Sequence, residues 1–319
     1  MALGRPRLVI LRALGLGDLL TAIPALRGLA RAFPEHERLL AAPAPLAPLV
    51  PSELAQLVPT GELEALPRRL ERADVAVNLH GRGPQSHELL LRARPASMLA
   101  FGHPDVPRSL GGPRWRPREH EPRRWCRMLT ESGVPANPAE LDLQPPPGDP
   151  RVAIRGATMI HPGAASGARR WPARRFAAVA RAERMAGREV VISGGRDEVR
   201  LACEVAAGAG LDRHHVIAGM TDLAELARAV AAAGRVVCGD TGVAHLATAL
   251  GTPSVVLFGP VSPAEWGPPA ERAQHRVLWV GASGDPHADQ PDPGLLAITV
   301  TEVLAALEEL PEISAAPAA

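Results

Sequence analysis

Residues 236–258, VVCGDTGVAHLATALGTPSVVLF, contain apolar segments of two different spacings. The runs Val236–Cys238 and Ser254–Phe258 predict buried strands, and the segment Val243–Leu250 between them has helical spacing. Two strands joined through a helix form a βαβ unit, whose strands lie parallel in one sheet. This stretch therefore predicts an α/β fold built on a parallel sheet.

The same alternation of strand-like and helix-like segments continues toward both ends of the chain. In the N-terminal half, Leu19, Ile23 and Leu26 recur at three- and four-residue intervals, which places them on one buried face of a helix. The further predicted strands are Leu8–Arg12, Arg38–Ala42, Asp74–His80, Thr158–His161, Val190–Ser193 and Val216–Ala218, and the further predicted helices are Asp18–Phe33, Phe176–Met185, Glu198–Ala207, Leu223–Ala232 and Val300–Leu310.

A proline-rich segment, QPPPGD at Gln144–Asp149, separates two series of elements. Because such a segment is stiff and has no periodicity, we predict an interdomain linker there. The predicted N-terminal domain comprises residues 1–148 and the C-terminal domain residues 149–298, followed by a helix at 299–312 and a disordered tail at 313–319. Two Rossmann-like domains make a cleft, and ligands of open α/β sheets bind beyond the carboxyl ends of the strands.

The composition excludes several classes of protein. Of the 319 residues, 46% are hydrophobic and 22% are charged, which is typical of a globular protein. A formal net charge of +1 excludes a globally basic nucleic-acid-binding protein. Every basic residue is Arg, the apolar runs are shorter than a membrane span, and we expect no cleaved signal. Three widely spaced cysteines predict neither a disulfide framework nor a zinc site, and they fit a reducing cytoplasm.

The loop LGLGD at Leu14–Asp18 follows the first predicted strand. Its glycines allow a tight turn and a close approach to a ligand. It lacks the third glycine of a dinucleotide fingerprint, since that position holds Leu20, so a nicotinamide dehydrogenase is poorly supported. Asp18 is either an N-cap residue or a catalytic carboxylate, and the spacing leaves both interpretations open.

Two loops of the C-terminal half combine small residues with polar ones at the start of a helix. His161–Pro172, HPGAASGARRWP, places Arg169 and Arg170 where they could add positive charge to an anion site, or simply lie in a solvated turn. Cys238–His245, CGDTGVAH, offers the donors of Thr241 and Gly242 to a phosphate and the carboxylate of Asp240 to sugar hydroxyls. The alternative for this second loop is a helix cap followed by a packed histidine.

Together these segments resemble glycosyltransferase family 9, the lipopolysaccharide heptosyltransferases. The segments that carry the resemblance are LGLGDLLTAIPAL at Leu14–Leu26, HPGAASGARRWP, GGRDE at Gly194–Glu198 and GDTGVAHLATALGTPSVVLFGP at Gly239–Pro260. The resemblance implies the GT-B fold, with an acceptor-binding N-terminal domain, a nucleotide-sugar-binding C-terminal domain and a final helix that crosses back to the first domain.

The resemblance also implies a role for individual residues. Asp18 matches the family's general base. Asn78 and Ser86, in NLHGRGPQS, lie in a segment like the family's acceptor-side loop, and Gly17 lies beside the base, where we expect it to help bind the acceptor. The residues that match the donor-binding positions are Arg169 and the group Asp240, Thr241, Gly242 and His245 for diphosphate and sugar, Glu198 for the ribose and Met220 for the adenine.

The inferred reaction is a single displacement with inversion at the anomeric carbon. Asp18 removes a proton from an acceptor hydroxyl, and Arg169 with the helix N-terminus at Thr241 receives the charge of the departing nucleoside diphosphate. We expect no metal ion and no bound cofactor, because the nucleotide sugar, most simply ADP-heptose, is a co-substrate and the chain contains no DxD triplet. The acceptor is expected to be a glycolipid or oligosaccharide.

Some alternatives remain open at this stage. Residues 105–127 contain seven Arg and three acidic residues, so they form either a solvated surface or a patch for a phosphorylated glycolipid or the inner membrane surface. A transferase for UDP or GDP sugars, an epimerase-like protein, and a nucleotide-binding protein without turnover are also consistent with the loops. The preferred donor nucleotide separates the transferase hypotheses from one another. Ligand binding without transfer, unaffected by Asp18→Ala, would favour the nucleotide-binding protein.

Overall fold

The computed structural model describes residues 5–152 and 154–311 and divides the chain into two compact units. The first unit ends at Leu141 and the second begins at Asp142, so the division precedes the proline-rich segment instead of following it. Leu143 explains this difference, because it is buried and its backbone N–H donates to Ala249 O at 2.8 Å. The proline-rich segment therefore belongs to the second unit.

The described part of the first unit is built on a parallel sheet with helices. Its strands are β1 (Arg7–Leu11), β2 (Glu37–Ala42), β3 (Gln56–Pro59), β4 (Val75–Asn78) and β5 (Ser97–Leu99), and its α-helices are α1 (Leu16–Ala32), α2 (Gln85–Arg92) and α3 (Glu121–Glu131). The strand order is β3-β2-β1-β4-β5, so β1 and β4 are neighbours although two strands separate them in the sequence.

The central position of β1 agrees with its hydrophobic pattern, and the strand order places the topological switch point of the sheet. Residues 8–11 of β1 are a continuous apolar run that is buried on both faces, as in the centre of a parallel sheet. Leu19, Ile23 and Leu26 of α1 are all buried, as their spacing predicts. The chain leaves β1 and β4 in opposite directions along the sheet, so the turns after these two strands flank the topological switch point.

The second unit repeats this architecture with a different strand order, β10-β9-β8-β6-β7 as labelled here in chain order. Its switch point lies between β6 and β8. The predicted strand Val216–Ala218 is reduced to one parallel bridge between Val216 and Ile192. The strands are β6 (Thr158–His161), β7 (Val190–Ile192), β8 (Arg235–Gly239), β9 (Ser254–Leu257) and β10 (His275–Leu278), and the α-helices are α4 (Ala173–Met185), α5 (Val199–Ala209), α6 (Leu223–Ala232), α7 (Gly242–Leu250), α8 (Pro263–Trp266), α9 (Pro293–Ala297) and α10 (Val300–Glu308).

The last helix, α10, packs against α4, β9 and β10. Val303 and Leu307 are buried in the hydrophobic core of the second unit, and Arg235 Nη1 donates to Leu307 O at 3.1 Å. The apolar face of this helix is therefore buried within the second unit, and the crossing of residues 299–312 to the first domain stays a prediction. Residue 312 and the predicted tail at 313–319 lie outside the described residues. None of the described helices is both long enough and apolar enough to span a membrane.

Candidate active site

Asp18 lies in the first turn of α1, just beyond the carboxyl end of β1. Gly15 occupies the N-cap position of this helix, so the interpretation of Asp18 as an N-cap residue is wrong. The Asp18 side chain is 28% exposed, and its Oδ1 lies 3.3 Å from Nη2 of Arg12. Asp18 is thus a partly exposed carboxylate beside a cation at the switch point of the first sheet.

Arg12, which follows β1, is buried with 1% of its side chain exposed. Its Nε donates to the backbone oxygen of Asp18 at 2.9 Å, and its Nη2 donates to Thr21 Oγ1 and to Glu121 Oε1, both at 3.2 Å. Sequence reasoning did not single out Arg12 or Glu121. All basic residues of this chain are Arg, and 109 positions separate these two partners.

His80 is a further residue that the sequence did not single out. It follows β4, and its Nδ1 is buried without a hydrogen-bond partner among the described residues. Burial and the nearby charge of Arg12 lower the pKa of His80 to about 4, against the opposing effect of Asp18. At neutral pH an uncharged imidazole therefore lies near Arg12 and Asp18.

The predicted acceptor residues Asn78 and Ser86 are buried in the first unit. Asn78 Nδ2 donates to Ser86 Oγ at 2.8 Å and to His87 Nδ1 at 3.0 Å. Asn78 Oδ1 accepts the backbone N–H of His80 at 2.9 Å. These hydrogen bonds hold the turn that carries His80, and acceptor binding by Asn78 and Ser86 stays a prediction. Gly17 is half-buried in the first turn of α1.

In the second unit, Arg169 and Asp240 meet at the switch point between β6 and β8. Arg169 Nη1 lies 3.4 Å from Asp240 Oδ2, although the two residues belong to different loops. Gly239 makes this approach possible, because a Cβ at that position would lie 3.0 Å from the backbone oxygen of Arg169. Thr241 caps α7, its Oγ1 accepting the Val243 N–H at 3.3 Å. A cation and the N-terminal amides of a helix thus lie side by side, as an anion site requires.

Asp240 and His245 complete this group. Burial raises the pKa of the Asp240 carboxyl above its usual value, and Arg169 and His245 act in the opposite direction. His245, one turn into α7, lies edge-on against Trp266, with 5.8 Å between the ring centroids. Gly242 is the first residue of α7 and is half-buried. The four predicted residues, Asp240, Thr241, Gly242 and His245, therefore lie together on the loop before α7 and its first turns. The sequence did not indicate Trp266, which the structure places against His245.

Glu198 lies in a pocket of glycine backbone beside His161. Its Oε2 accepts the Gly195 N–H at 2.7 Å and lies 3.9 Å from His161 Nε2. A Cβ at Gly163 would lie 2.0 Å from Glu198 Oε1, so this glycine is required for the observed position of the carboxylate. His161 Nδ1 lies 3.0 Å from Ser193 Oγ, and burial lowers the pKa of His161 despite the nearby Glu198.

Met220 is 72% exposed and lines a cavity of about 510 Å³. Val191 and Ile217 contribute apolar surface to this cavity, and Arg213 and His214 contribute polar groups. Met220 and Glu198 lie on neighbouring turns, because the backbone N–H of the residue before Met220 donates to Gly194 O at 3.0 Å.

Four of the seven arginines in the Arg-rich segment at residues 105–127 contact other groups of the protein, and two of these four, Arg108 and Arg116, are also exposed. The remaining three, Arg114, Arg118 and Arg123, are exposed. Arg116, Arg124 and Arg127 contact Glu131, Glu121 and Glu119 respectively, and Arg108 donates to the backbone oxygens of Pro95 and Ala96. In the residues that the structure describes, no group of three or more His, Cys, Asp or Glu side chains is placed to hold a metal ion.

Comparison with known proteins shows which family and which fold this chain resembles. The family model that matches is glycosyltransferase family 9 (heptosyltransferase), over residues 135–292. Lipopolysaccharide heptosyltransferase 3 of Escherichia coli is 32% identical over 146 residues, which cover 44% of this chain and 42% of that protein. The chain thus spans about two fifths of the length of this curated relative.

Solved structures extend the likeness of fold to both units. The E. coli ADP-heptose lipopolysaccharide heptosyltransferase II has a TM-score of 0.75 at 23% identity, covering 95% of this chain and 97% of that one. The iron-containing dodecameric glycosyltransferase TibC from enterotoxigenic E. coli has a TM-score of 0.62 at 16% identity, covering 96% of this chain and 76% of that one. These matches show the GT-B fold. The family model identifies residues 135–292 as belonging to glycosyltransferase family 9 (heptosyltransferase), and the curated relative agrees with this match.

Proposed function

We propose that this protein is an inverting glycosyltransferase that transfers heptose from ADP-heptose to a hydroxyl of a lipid-linked or core-oligosaccharide acceptor. The observation that carries the proposal is the pairing of Arg169 with Asp240 beside the N-terminus of α7. A diphosphate suits this place, because the guanidinium and the helix amides both favour a bound anion. The match to family 9 and the names of the relatives support heptose and a lipopolysaccharide acceptor.

The chemistry proceeds in one displacement. The Asp18 carboxylate takes the proton of the acceptor hydroxyl, and the hydroxyl oxygen forms a bond to the anomeric carbon from the face opposite the leaving group. The bond from that carbon to the phosphate oxygen breaks, and the nucleoside diphosphate leaves with the electron pair. Arg169 and the amides at the start of α7 stabilise its added charge, and Asp18 later releases its proton to solvent.

Glu198 and Met220 are assigned to the nucleoside. Glu198 presents carboxylate oxygens that accept hydrogen bonds from the ribose hydroxyls, and the exposed thioether of Met220 packs against the adenine. We assign no metal ion to this reaction, because the Arg169 guanidinium supplies the positive charge that a diphosphate needs. A chelator tests this assignment directly, and the iron-containing TibC makes the test necessary.

Asp18→Asn and Arg169→Gln separate the two halves of the proposal. We expect Asp18→Asn to reduce release of ADP from ADP-heptose in the presence of acceptor by at least about 100-fold while leaving ADP affinity unchanged. Arg169→Gln should weaken ADP binding by about tenfold or more, since a charge-assisted hydrogen bond is lost. Arg174→Gln is the matched control, because Arg174 is exposed and five residues away.

Calorimetry with ADP, UDP and GDP in excess EDTA measures the affinities. Preference for UDP or GDP would replace ADP-heptose by another donor, and tight ADP binding without any transfer would replace the enzyme by a nucleotide-binding protein. Loss of binding in EDTA that is restored by iron or magnesium would contradict metal independence.

A contact with the inner face of the cytoplasmic membrane is a second part of the proposal. The exposed Arg114, Arg118 and Arg123, with Leu110 exposed on the same segment, fit an anionic lipid surface. Binding to phosphatidylglycerol vesicles should fall steeply between low and high salt and in the triple Arg→Gln variant. Binding that does not depend on salt, or no binding at all, would contradict this contact.

A further inference from the structure

One guanidinium in the first unit serves two carboxylates from different helices. Arg12 Nη2 lies 3.3 Å from Asp18 Oδ1 on α1 and 3.2 Å from Glu121 Oε1 on α3. The contact with Glu121 is a hydrogen bond, and Nη2 also donates to Thr21 Oγ1. A guanidinium Nη carries two hydrogens, so these two acceptors use both of them. The Asp18 carboxylate is therefore close to the charge of Arg12 but does not accept its N–H groups.

The distribution of the Arg12 hydrogen bonds matters for a neighbouring carboxylate that acts as a base. A nearby cation stabilises the ionised carboxylate and so weakens it as a proton acceptor, most strongly when the cation also donates a hydrogen bond. A second anion on the far side of the cation reduces this effect. The Glu121 carboxylate occupies this place. It is 4% exposed, and its Oε1 accepts both the Arg12 Nη2–H at 3.2 Å and the Trp125 Nε1–H at 2.8 Å.

We propose that Glu121 is a positioning residue for Asp18, which balances the charge of Arg12 and keeps the N–H groups of Arg12 turned away from the Asp18 carboxylate. The Asp18 carboxylate oxygens then stay free of N–H donors from Arg12 and available to the proton of the acceptor hydroxyl. This inference rests on the proposed function, in which Asp18 is the base.

Arg124 provides an opposing charge in the same cluster. Its Nη1 contacts Glu121 Oε2, and its guanidinium carbon lies 4.4 Å from the centroid of the Trp115 ring. Arg124 partly neutralises Glu121, so Glu121 offsets less of the charge of Arg12. Removal of Arg124 should therefore shift the titration midpoint of Asp18 in the direction opposite to removal of Glu121.

The charged and titratable groups that surround the Asp18–Arg12 pair come from three parts of the first unit. Arg12 approaches from the end of β1 and His80 from the turn after β4. Glu121 and Arg124 act from α3, whose N-cap residue is His120. His80 and His120 are present in every variant described below, so differences between the variants report on the charges of α3.

The test is the pH profile of kcat/KM for sugar transfer by wild type, Glu121→Gln and Arg124→Met. In Glu121→Gln we expect the acid limb of the profile to move down by about 1 pH unit and the plateau rate to fall about threefold, because a weaker base transfers the proton more slowly. In Arg124→Met the acid limb should move up. Glu119→Gln is the matched control, because Glu119 binds Arg127 at 2.7 Å on the same segment and should leave the profile unchanged.

General damage to the fold would not move two profiles in opposite directions. Shifts of the same sign in Glu121→Gln and Arg124→Met, or no shift in either, would overturn the inference. Profiles are compared only between variants whose thermal unfolding midpoints have been measured, so that a destabilised variant is recognised.

A measurement without substrate separates this inference from the proposed function. Carboxyl carbon NMR of protein labelled at aspartate, with the Asp18 signal assigned by Asp18→Asn, gives the titration midpoint of Asp18 directly. We expect the midpoint to increase in the order Glu121→Gln, wild type, Arg124→Met. This order in a protein that transfers no sugar would contradict the proposed function and support the charge relation, whereas equal midpoints in an active protein would contradict the charge relation alone.

Discussion

Gly163 leaves the space that the Glu198 carboxylate occupies, and this single position tests the donor site. A methyl group there would lie 2.0 Å from Glu198 Oε1, so Gly163→Ala must displace the carboxylate. Because the displaced atoms are the end of a flexible side chain, we expect little change in stability but about tenfold weaker ADP binding by calorimetry. Gly111→Ala, at a glycine with open space around it, is the control. Equal ADP affinity in Gly163→Ala and wild type would contradict the role of Glu198.

At the scale of elements, Asn78 joins β4, the following turn and α2. His87 Nε2 donates to Phe101 O at 2.7 Å, so its Nδ1 is the acceptor of the Asn78 amide.

Asn78→Asp removes the donated hydrogen bonds, and we expect it to lower the free energy of unfolding by about 2 kcal/mol at pH 8. The loss should shrink at pH 6, because a carboxylate favours a proton on His87. Urea unfolding at both values measures this, and Asn137→Asp, at an exposed position, should show no such dependence on pH.

At the scale of the whole molecule, buried histidines in both units link stability to pH. Burial lowers the pKa of His80 and of His275 to about 4, and it also lowers the pKa of His87 and of His161. The unfolded chain therefore binds more protons than the folded one below about pH 6.5, and the free energy of unfolding should fall as the pH decreases from about 6.5 toward 4. Asp240 opposes this trend, because its raised pKa means that the folded chain takes up a proton there more readily than the unfolded chain. It is one group against four histidines.

Urea unfolding at pH 7.5, 6 and 5 measures this dependence. His275→Gln removes one of the four histidines, so the decline in stability should be shallower in this variant. A free energy of unfolding that is constant or rises over this range would contradict the prediction.

Local patterns predicted the positions of many elements in both units. The predicted elements Thr158–His161 and Leu223–Ala232 have the same bounds in the structure. The strands β3 and β5 were missed, because they are the edge strands of their sheet and most of their residues are not buried, so they lack the apolar run of a central strand. The burial of the Asn78 and Ser86 side chains could not be predicted, since sequence similarity places a residue in a segment without saying whether its side chain is buried.

The sequence by itself determined two α/β units and the loops that carry Asp18, Arg169 and Asp240. These features depend on hydrophobic spacing and on glycines and polar residues at strand ends, which are local properties of the chain. Only the tertiary structure decided the partners: Glu121 and Asp18 share Arg12, Glu198 lies beside His161 and Gly163, and α10 packs within the second unit. The physical reason is that such contacts depend on strand order and on the packing of distant segments, which the alternation of strands and helices does not specify.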